Sequence, residues 1–163
     1  MINLPEGDFD VLTIGETLVD FISVEETDWL RNAYTFRKYQ GGSPANIAVY
    51  VAKLGGESAV ISKLGIGAMG QFLKSELGRA GVTCDYLVMD HRVHSSIIFV
   101  SRTARTADFE AFRSGDYQLE AHEIKEEAIA GAKIIHASTW ALSREPCRSS
   151  VERAFKLAQT YGK

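Results

Sequence analysis

The sequence has only two cysteines, no concentration of positive charge and no apolar run long enough to span a bilayer. Cys84 and Cys147 lie far apart without metal-binding or redox spacing, which excludes a disulfide scaffold and favours a reducing compartment. The net charge of −3 makes nucleic acid and anionic membranes poor partners. The opening residues MINLPEGDFD lack the basic and apolar segments of a signal peptide. We therefore expect a cytoplasmic protein.

What is present is a regular alternation of strand and helix patterns. DVLTIG, SAVISKLG and KIIHAS have the composition of short buried strands, and MGQFLKSELGRAGV has the periodicity of an amphipathic helix. This order predicts an α/β fold with a mostly parallel sheet. Two strand-rich patches, 21–39 and 96–113, have no helix between their own strands, and we expect them to form a separate small sheet. LVDFISVE is expected to extend the first strand.

The stretch QGGSPANIAVYVAKLGG combines flexible and polar residues with the start of a helix. Ser43 is a favoured N-cap residue and Pro44 fits the first helical turn. Asn46 then falls beside backbone N–H groups without helical partners, and its amide can both donate and accept hydrogen bonds, as a sugar hydroxyl does. Gly41 and Gly42 allow a ligand to approach the backbone closely. The pattern predicts either a small-molecule site or a turn and capped helix without a ligand. We expect the buried helix face to comprise Ile47, Ala48, Val51, Ala52 and Leu54.

GIGAMG, from Gly65 to Gly70, matches the G-x-G-x-x-G pattern between a strand and a helix, and Asp90 follows at the end of the next strand. That context is typical of a dinucleotide site. The alternative is that these glycines serve only close helix–strand packing. A dinucleotide-binding oxidoreductase therefore stays among the candidate functions.

The spacing of small and polar residues from position 41 onward resembles the first signature of the ribokinase/PfkB-type carbohydrate kinases. The matching positions are Gly41, Gly42, Pro44, Asn46, Ala48, Gly55 and Gly65. DVLTIGETLVDF resembles the family's opening strand, with Asp20 in the place of its sugar-contacting aspartate. FEAFRSGDYQL resembles the crossing from lid to body in fructokinases and 2-keto-3-deoxygluconate kinases, which puts Arg113 near the sugar. The resemblance implies a ribokinase-like, mostly parallel three-layer fold with a small β-sheet lid.

This resemblance implies ATP-dependent phosphorylation of a sugar hydroxyl, with Mg²⁺, by the full-length kinase. The implied substrate-binding residues are Asp20, Gly41, Gly42, Asn46 and Arg113. The family's second signature, a Gly-Ala-Gly-Asp stretch that supplies the catalytic base and the anion hole, is missing from the sequence. We therefore expect residues 1–163 to be the N-terminal half, which supplies the sugar site and lid but no catalytic residue and no metal site. Alone it is expected to be inactive and to bind no cofactor tightly.

The resemblance further implies a sugar or sugar acid as partner and a homodimer formed through the lid. Three residues also have a purely structural interpretation. Asp20 can be interpreted as a strand-end carboxylate with its hydrogen bonds satisfied, Arg113 as part of an ion pair, and His136 as a core histidine with its hydrogen bonds satisfied. A non-catalytic sugar-binding protein is the other alternative function.

Overall fold

The computed structural model describes residues 5–163. Within the described residues, eight strands and four α-helices follow one another: β1 (Phe9–Ile14), β2 (Leu18–Glu26), β3 (Phe36–Gly41), α1 (Ser43–Lys53), β4 (Ser58–Gly65), α2 (Ala68–Arg79), β5 (Leu87–Asp90), β6 (Ile97–Arg102), β7 (Phe109–Phe112), α3 (Glu126–Ala130), β8 (Ala132–Ala137) and α4 (Cys147–Thr160). None of the helices within this range is long and apolar enough to cross a membrane.

The main sheet has the strand order β5-β4-β1-β8, and all of its neighbours run parallel. One face packs against α3 and α4 through Leu12, Ile14, Ile61, Ile129, Val151 and Ala154. The other face packs against α1 and α2 through Ala45, Ala48, Val60, Leu77 and Val82. The central strand β4 is covered on both sides, and all of its residues are buried rather than alternate ones. The predicted three-layer, mostly parallel architecture is confirmed.

The second sheet has the order β3-β2-β6-β7, with an antiparallel pair at each edge and a parallel pair in the centre. Its strands overlap the two strand-rich patches of the sequence. The expectation that LVDFISVE extends the first strand is wrong, because the chain turns between β1 and β2 and β2 joins the second sheet. Gly15 makes this turn possible, since its φ of +138° is a conformation that other residues rarely adopt.

Helix α1 starts differently from the sequence-based expectation. Gly42, with φ +100°, is the residue that caps the helix, and no side-chain hydrogen bond from a neighbouring residue caps it. Ser43 is the first helical residue and donates its backbone N–H to the side chain of Glu16, 3.2 Å away. The Glu16 carboxylate, distant in the sequence, therefore accepts a hydrogen bond from a backbone N–H at the start of α1, a role that the sequence analysis gives to the Ser43 side chain.

The buried face of α1 is also rotated relative to the prediction. Pro44, Ala45, Ala48 and Val49 are buried, whereas Leu54 is 88% exposed. The main sheet approaches the helix from the side of its small residues, and close approach favours alanine over the larger side chains that the periodicity selected.

Candidate sugar site

A cavity of about 570 Å³ lies where the ends of β1 and β8 meet the second sheet and the start of α1. Its apolar wall comes from the second sheet and the segment after β8, and its polar wall from the turn after β1 and from β2. The lining residues are Glu16, Leu18, Asp20, Gly42, Ser43, Ile98, Phe109, His136, Ala137, Ser138, Thr139 and Trp140. A mostly apolar concave site with a few convergent polar groups is typical of small-molecule binding.

Asp20 and Gly41, both predicted site residues, are brought together. β2 and β3 pair so that Asp20 lies opposite Tyr39, and the carboxylate reaches back over Gly41. A Cβ on Gly41 would lie 2.1 Å from Asp20 Oδ2, so the carboxylate can take this position only while residue 41 is a glycine. Burial raises the pKa of Asp20, and no hydrogen bond from residues 5–163 opposes that effect.

Gly42, the third predicted residue, lines the cavity and packs closely against the backbone of Glu16. A Cβ at Gly42 would lie 2.3 Å from the Glu16 carbonyl oxygen. The Glu16 carboxylate accepts hydrogen bonds from the backbone N–H of Ser43 and, at 2.6 Å, from Ser138 Oγ. Its pKa is raised, chiefly because burial outweighs these hydrogen bonds. Glu16 thus ties the start of α1 to the end of β8.

Asn46 lies in the first turn of α1, exposed and outside the set of residues that line the cavity. Its Oδ1 accepts a hydrogen bond from Gln40 Nε2 at 3.1 Å, and the same Gln40 amide group donates to the Gly41 carbonyl at 3.0 Å. Asn46 is therefore connected to the Gly41 segment through Gln40.

Arg113 lies behind the cavity wall rather than in the cavity. Its Nε donates to Asp116 Oδ2 at 2.7 Å, and its Nη1 donates to Ser143 Oγ at 2.8 Å. Its Nη2 lies 2.6 Å from the same Asp116 oxygen, an ionic contact whose angle does not make it a hydrogen bond. The guanidinium also covers the ring of Trp140 at 4.4 Å. The ion pair that the sequence left open as an alternative is present.

His136 and the residues after it are site residues that sequence reasoning missed. The expectation of a satisfied core histidine is wrong, because Nε2 of His136 is buried and has no hydrogen-bond partner within residues 5–163. The residue lines the cavity, but Nε2 itself is shielded from solvent and lies against protein atoms that do not hydrogen-bond to it. The sequence signal was only a polar residue at the end of a buried strand.

The GIGAMG loop is explained by packing. A Cβ on Gly70 would lie 1.8 Å from the Gly65 carbonyl oxygen, so the last glycine lets α2 approach β4. Asp90 is occupied by Arg92, whose Nη2 lies 2.7 Å away, and by Lys63, whose Nζ lies 3.1 Å away. The pKa of Asp90 is lowered, chiefly by the hydrogen bonds that Arg92 donates to it. A ribose would have to displace both cations.

Comparison with known proteins gives the family. The model of the pfkB family carbohydrate kinases matches residues 8–163. The chain belongs to this family. It is 37% identical over 145 residues to the ATP-dependent 6-phosphofructokinase of Thermoanaerobacterium thermosaccharolyticum, an alignment that covers 88% of this chain and 44% of that protein.

Solved structures of family members confirm the ribokinase-like fold. The fructokinase of Halothermothrix orenii superposes with a TM-score of 0.86 at 37% identity, covering 94% of this chain and 55% of that one. A sugar kinase of Pyrococcus horikoshii in complex with ATP superposes with a TM-score of 0.86 at 35% identity, covering 90% of this chain and 48% of that one. The chain thus spans about half the length of the kinases that it matches.

The lining of this cavity does not fit the ATP and Mg²⁺ that the carbohydrate kinase family implies. Within residues 5–163, no group of three or more histidine, cysteine, aspartate or glutamate side chains is arranged to hold a metal ion. The cavity wall holds two carboxylates, Glu16 and Asp20, and no lysine or arginine that could pair with a phosphate. Its chemistry therefore suits a neutral hydroxylated ligand.

Proposed function

We propose that this chain is the sugar-binding half of an ATP-dependent carbohydrate kinase. The observation that carries the proposal is the Asp20 carboxylate, which is half-buried against Gly41 and accepts no hydrogen bond from residues 5–163. Sugar hydroxyls are donors that would satisfy it. Gly42 lets the ring approach the start of α1, while Asn46 and Gln40 stabilise that segment from outside.

The second sheet would act as the lid of this site. Leu18, Ile98 and Phe109 of that sheet face the cavity, and a ligand held between them and the main sheet is shielded from water. Exclusion of water favours transfer to the sugar over hydrolysis. The chain's own contribution is to bind and orient the acceptor hydroxyl, which makes positioning its main catalytic effect.

We further propose that the chain alone does not transfer phosphate, because the 163 residues contain no Gly-Ala-Gly-Asp stretch that could supply the base and the anion hole. ATP and Mg²⁺ would then bind to the other half of the full-length enzyme. A reducing cytoplasm suits the two free thiols of Cys84 and Cys147.

Calorimetric titration of the purified chain with a panel of sugars, together with an assay of sugar phosphate formation, tests this function. We expect saturable binding of at least one sugar and no phosphate transfer by the chain alone. Transfer at a rate typical of kinases would contradict the acceptor-half assignment, and absence of binding to every sugar would contradict the site.

We also propose that the second sheet forms a homodimer contact. Phe109 and Phe112 on β7 are 59% and 55% exposed, and Tyr39 on β3 is 42% exposed, so both edge strands carry large apolar side chains. Sedimentation measurements should give a dimer for the chain and a monomer for Phe109→Asp/Phe112→Asp. A wild-type monomer at high concentration would contradict this contact.

A further inference from the structure

We propose that Trp140 is the wall on which the apolar face of a sugar ring stacks, and that Asp116 and Arg113 are positioning residues that hold the indole there. Together they make the site selective for neutral ring-form sugars over sugar acids. This inference rests on the proposed function and names the substrate class of the same site.

Trp140 is fixed by its indole N–H. The residue follows β8, lines the cavity and donates from Nε1 to Asp116 Oδ2 at 3.1 Å. The Asp116 side chain is fully buried and also accepts a hydrogen bond from Ser96 Oγ at 2.5 Å. Ser96 in turn accepts the backbone N–H groups of Ser114, at 2.8 Å, and of Asp116, at 3.2 Å. The acceptor for the indole is therefore itself held rigidly.

Arg113 fixes the tilt of the ring. Its guanidinium lies over the indole at 4.4 Å, with only 9% of the side chain exposed, and the Asp116 ion pair keeps it in place. One face of Trp140 is thereby covered by protein. The ring is left with its other face for a ligand, and a hydrogen-bonded indole stacked on one side loses little entropy when it binds.

The charges around the cavity argue against an acidic sugar. Glu16 and Asp20 are the charged residues of the wall, and a substrate carboxylate would meet their repulsion. Arg113, which stacks on Trp140 of the cavity wall, is already paired with Asp116 and hydrogen-bonded to Ser143. A ring-form sugar offers C–H groups to Trp140 and hydroxyls to Asp20, which matches the two walls.

The two tryptophans of the sequence, Trp29 and Trp140, allow a direct test. Trp29 lies in the loop between β2 and β3, next to Arg31, and Trp29→Phe leaves Trp140 as the single tryptophan, whose emission can be excited selectively over that of the six tyrosines. In this background we expect fructose to change the emission of Trp140 along the calorimetric binding curve, and gluconate to bind at least about tenfold more weakly. Binding of fructose without any change in Trp140 emission would overturn the stacking, and tighter binding of gluconate would overturn the selectivity.

Variants separate stacking from positioning. Trp140→Ala should weaken fructose binding by about tenfold, which corresponds to about 1.4 kcal/mol. Without ligand, Asp116→Asn should make Trp140 more accessible to quenching by acrylamide, and it should also weaken fructose binding. Arg113→Lys keeps the charge but loses the planar stack on the indole, and it should produce smaller changes of the same kind. Arg105→Lys, at an exposed ion pair with Asp28, is the matched control and should change neither quantity.

The outcomes distinguish this inference from the function on which it rests. If no sugar binds to the wild type, the proposed function and the stacking both fail. If fructose binds and Trp140→Ala binds it equally well, only the stacking fails. If the quenching of Trp140 is the same in Asp116→Asn, Arg113→Lys and the wild type, the positioning role is wrong even where Trp140 contacts the sugar. Arg113→Lys keeps this last test available should Asp116→Asn not fold.

Discussion

Asp20 shows at the scale of one residue how a partly buried carboxylate without a hydrogen-bond donor can cost stability. Burial makes the Asp20 carboxylate harder to ionise in the folded chain, and no donor from residues 5–163 opposes this effect, so its folded pKa exceeds the ordinary value of 3.8. The contribution of protonated Asp20 to the free energy of unfolding is fully present below pH 3.8. It is lost as the pH rises through the higher folded pKa. At neutral pH the charged group therefore works against folding.

Asp20→Asn tests this cost. The variant should be more stable than the wild type at pH 7, and the difference should shrink as the pH falls towards 3.8, as measured by chemical denaturation. Glu16 also has a raised pKa, but it is present in both proteins and cancels in the comparison. Glu152→Gln, at an exposed position of α4, controls for the loss of a negative charge. A variant less stable than the wild type at pH 7 would refute the unpaired carboxylate.

Gly41→Ala tests the close approach of backbone and carboxylate. The new Cβ would lie 2.1 Å from Asp20 Oδ2, so the carboxylate must move. We expect a loss of about 1–3 kcal/mol in the free energy of unfolding and weaker sugar binding by calorimetry. Gly78→Ala in α2, where no atom lies within 4 Å of the new Cβ, should instead be neutral or stabilising by about 0.5–1 kcal/mol. Equal effects of the two substitutions would contradict the steric account.

At the scale of secondary structure, a buried lysine joins three elements. Lys63 of β4 is 1% exposed and contacts Asp90 at the end of β5 and Glu123, 2.9 Å away, in the turn before α3. Burial by itself lowers the pKa of Lys63, but hydrogen bonds to Glu123 and Asp90 outweigh burial and raise it. The lysine is therefore charged and compensates two carboxylates.

Lys63→Met should destabilise the chain by about 3 kcal/mol, because it leaves buried carboxylate charge without its partner. Adding Glu123→Gln to Lys63→Met should recover part of that loss, which denaturant unfolding of both variants measures. Breaking the exposed pair of Arg79 and Glu76 with Arg79→Met is the control and should cost less than about 1 kcal/mol. Similar losses for the buried and the exposed pair would contradict the role of burial.

The sequence predicted those elements whose signals are local. β4 coincides with SAVISKLG, and α2 covers most of MGQFLKSELGRAGV, because apolar runs and helical periodicity need no knowledge of the partner. The start and the buried face of α1 were wrong because Glu16, a residue far away in the chain, supplies the cap, and the sheet selects the small residues.

The candidate site also contains some residues that the sequence predicted and others that only the fold brings together. Gly41 and Gly42 were predicted from a spaced motif and Asp20 from the resemblance of DVLTIGETLVDF to the family's opening strand, and the fold brings Asp20 into contact with Gly41. Glu16, His136 and Trp140 belong to the same cavity but come from two distant parts of the chain, the turn after β1 and the end of β8 with the segment that follows it. Only the parallel pairing of β1 with β8 puts the segments after these strands side by side.

At the scale of the whole molecule, the cavity depends on both sheets. The main sheet supplies the strand ends, and the second sheet supplies the apolar wall, so a ligand that fills the cavity should stabilise the two sheets together. Fructose at about 100 times its dissociation constant should raise the free energy of unfolding by about 2.7 kcal/mol. Hydrogen exchange should slow in β2 and β6 as well as in β1. Protection confined to the main sheet would contradict a closed site.

The central claim is that sugar hydroxyls supply the donors that Asp20 lacks, and a carbon-13 NMR titration of the Asp20 carboxyl group measures this directly. Without ligand, the account predicts a pKa above 3.8. At saturating sugar the pKa should fall, because hydrogen bonds from hydroxyls stabilise the charged form. A pKa that stays unchanged while calorimetry shows the sugar bound would contradict the account.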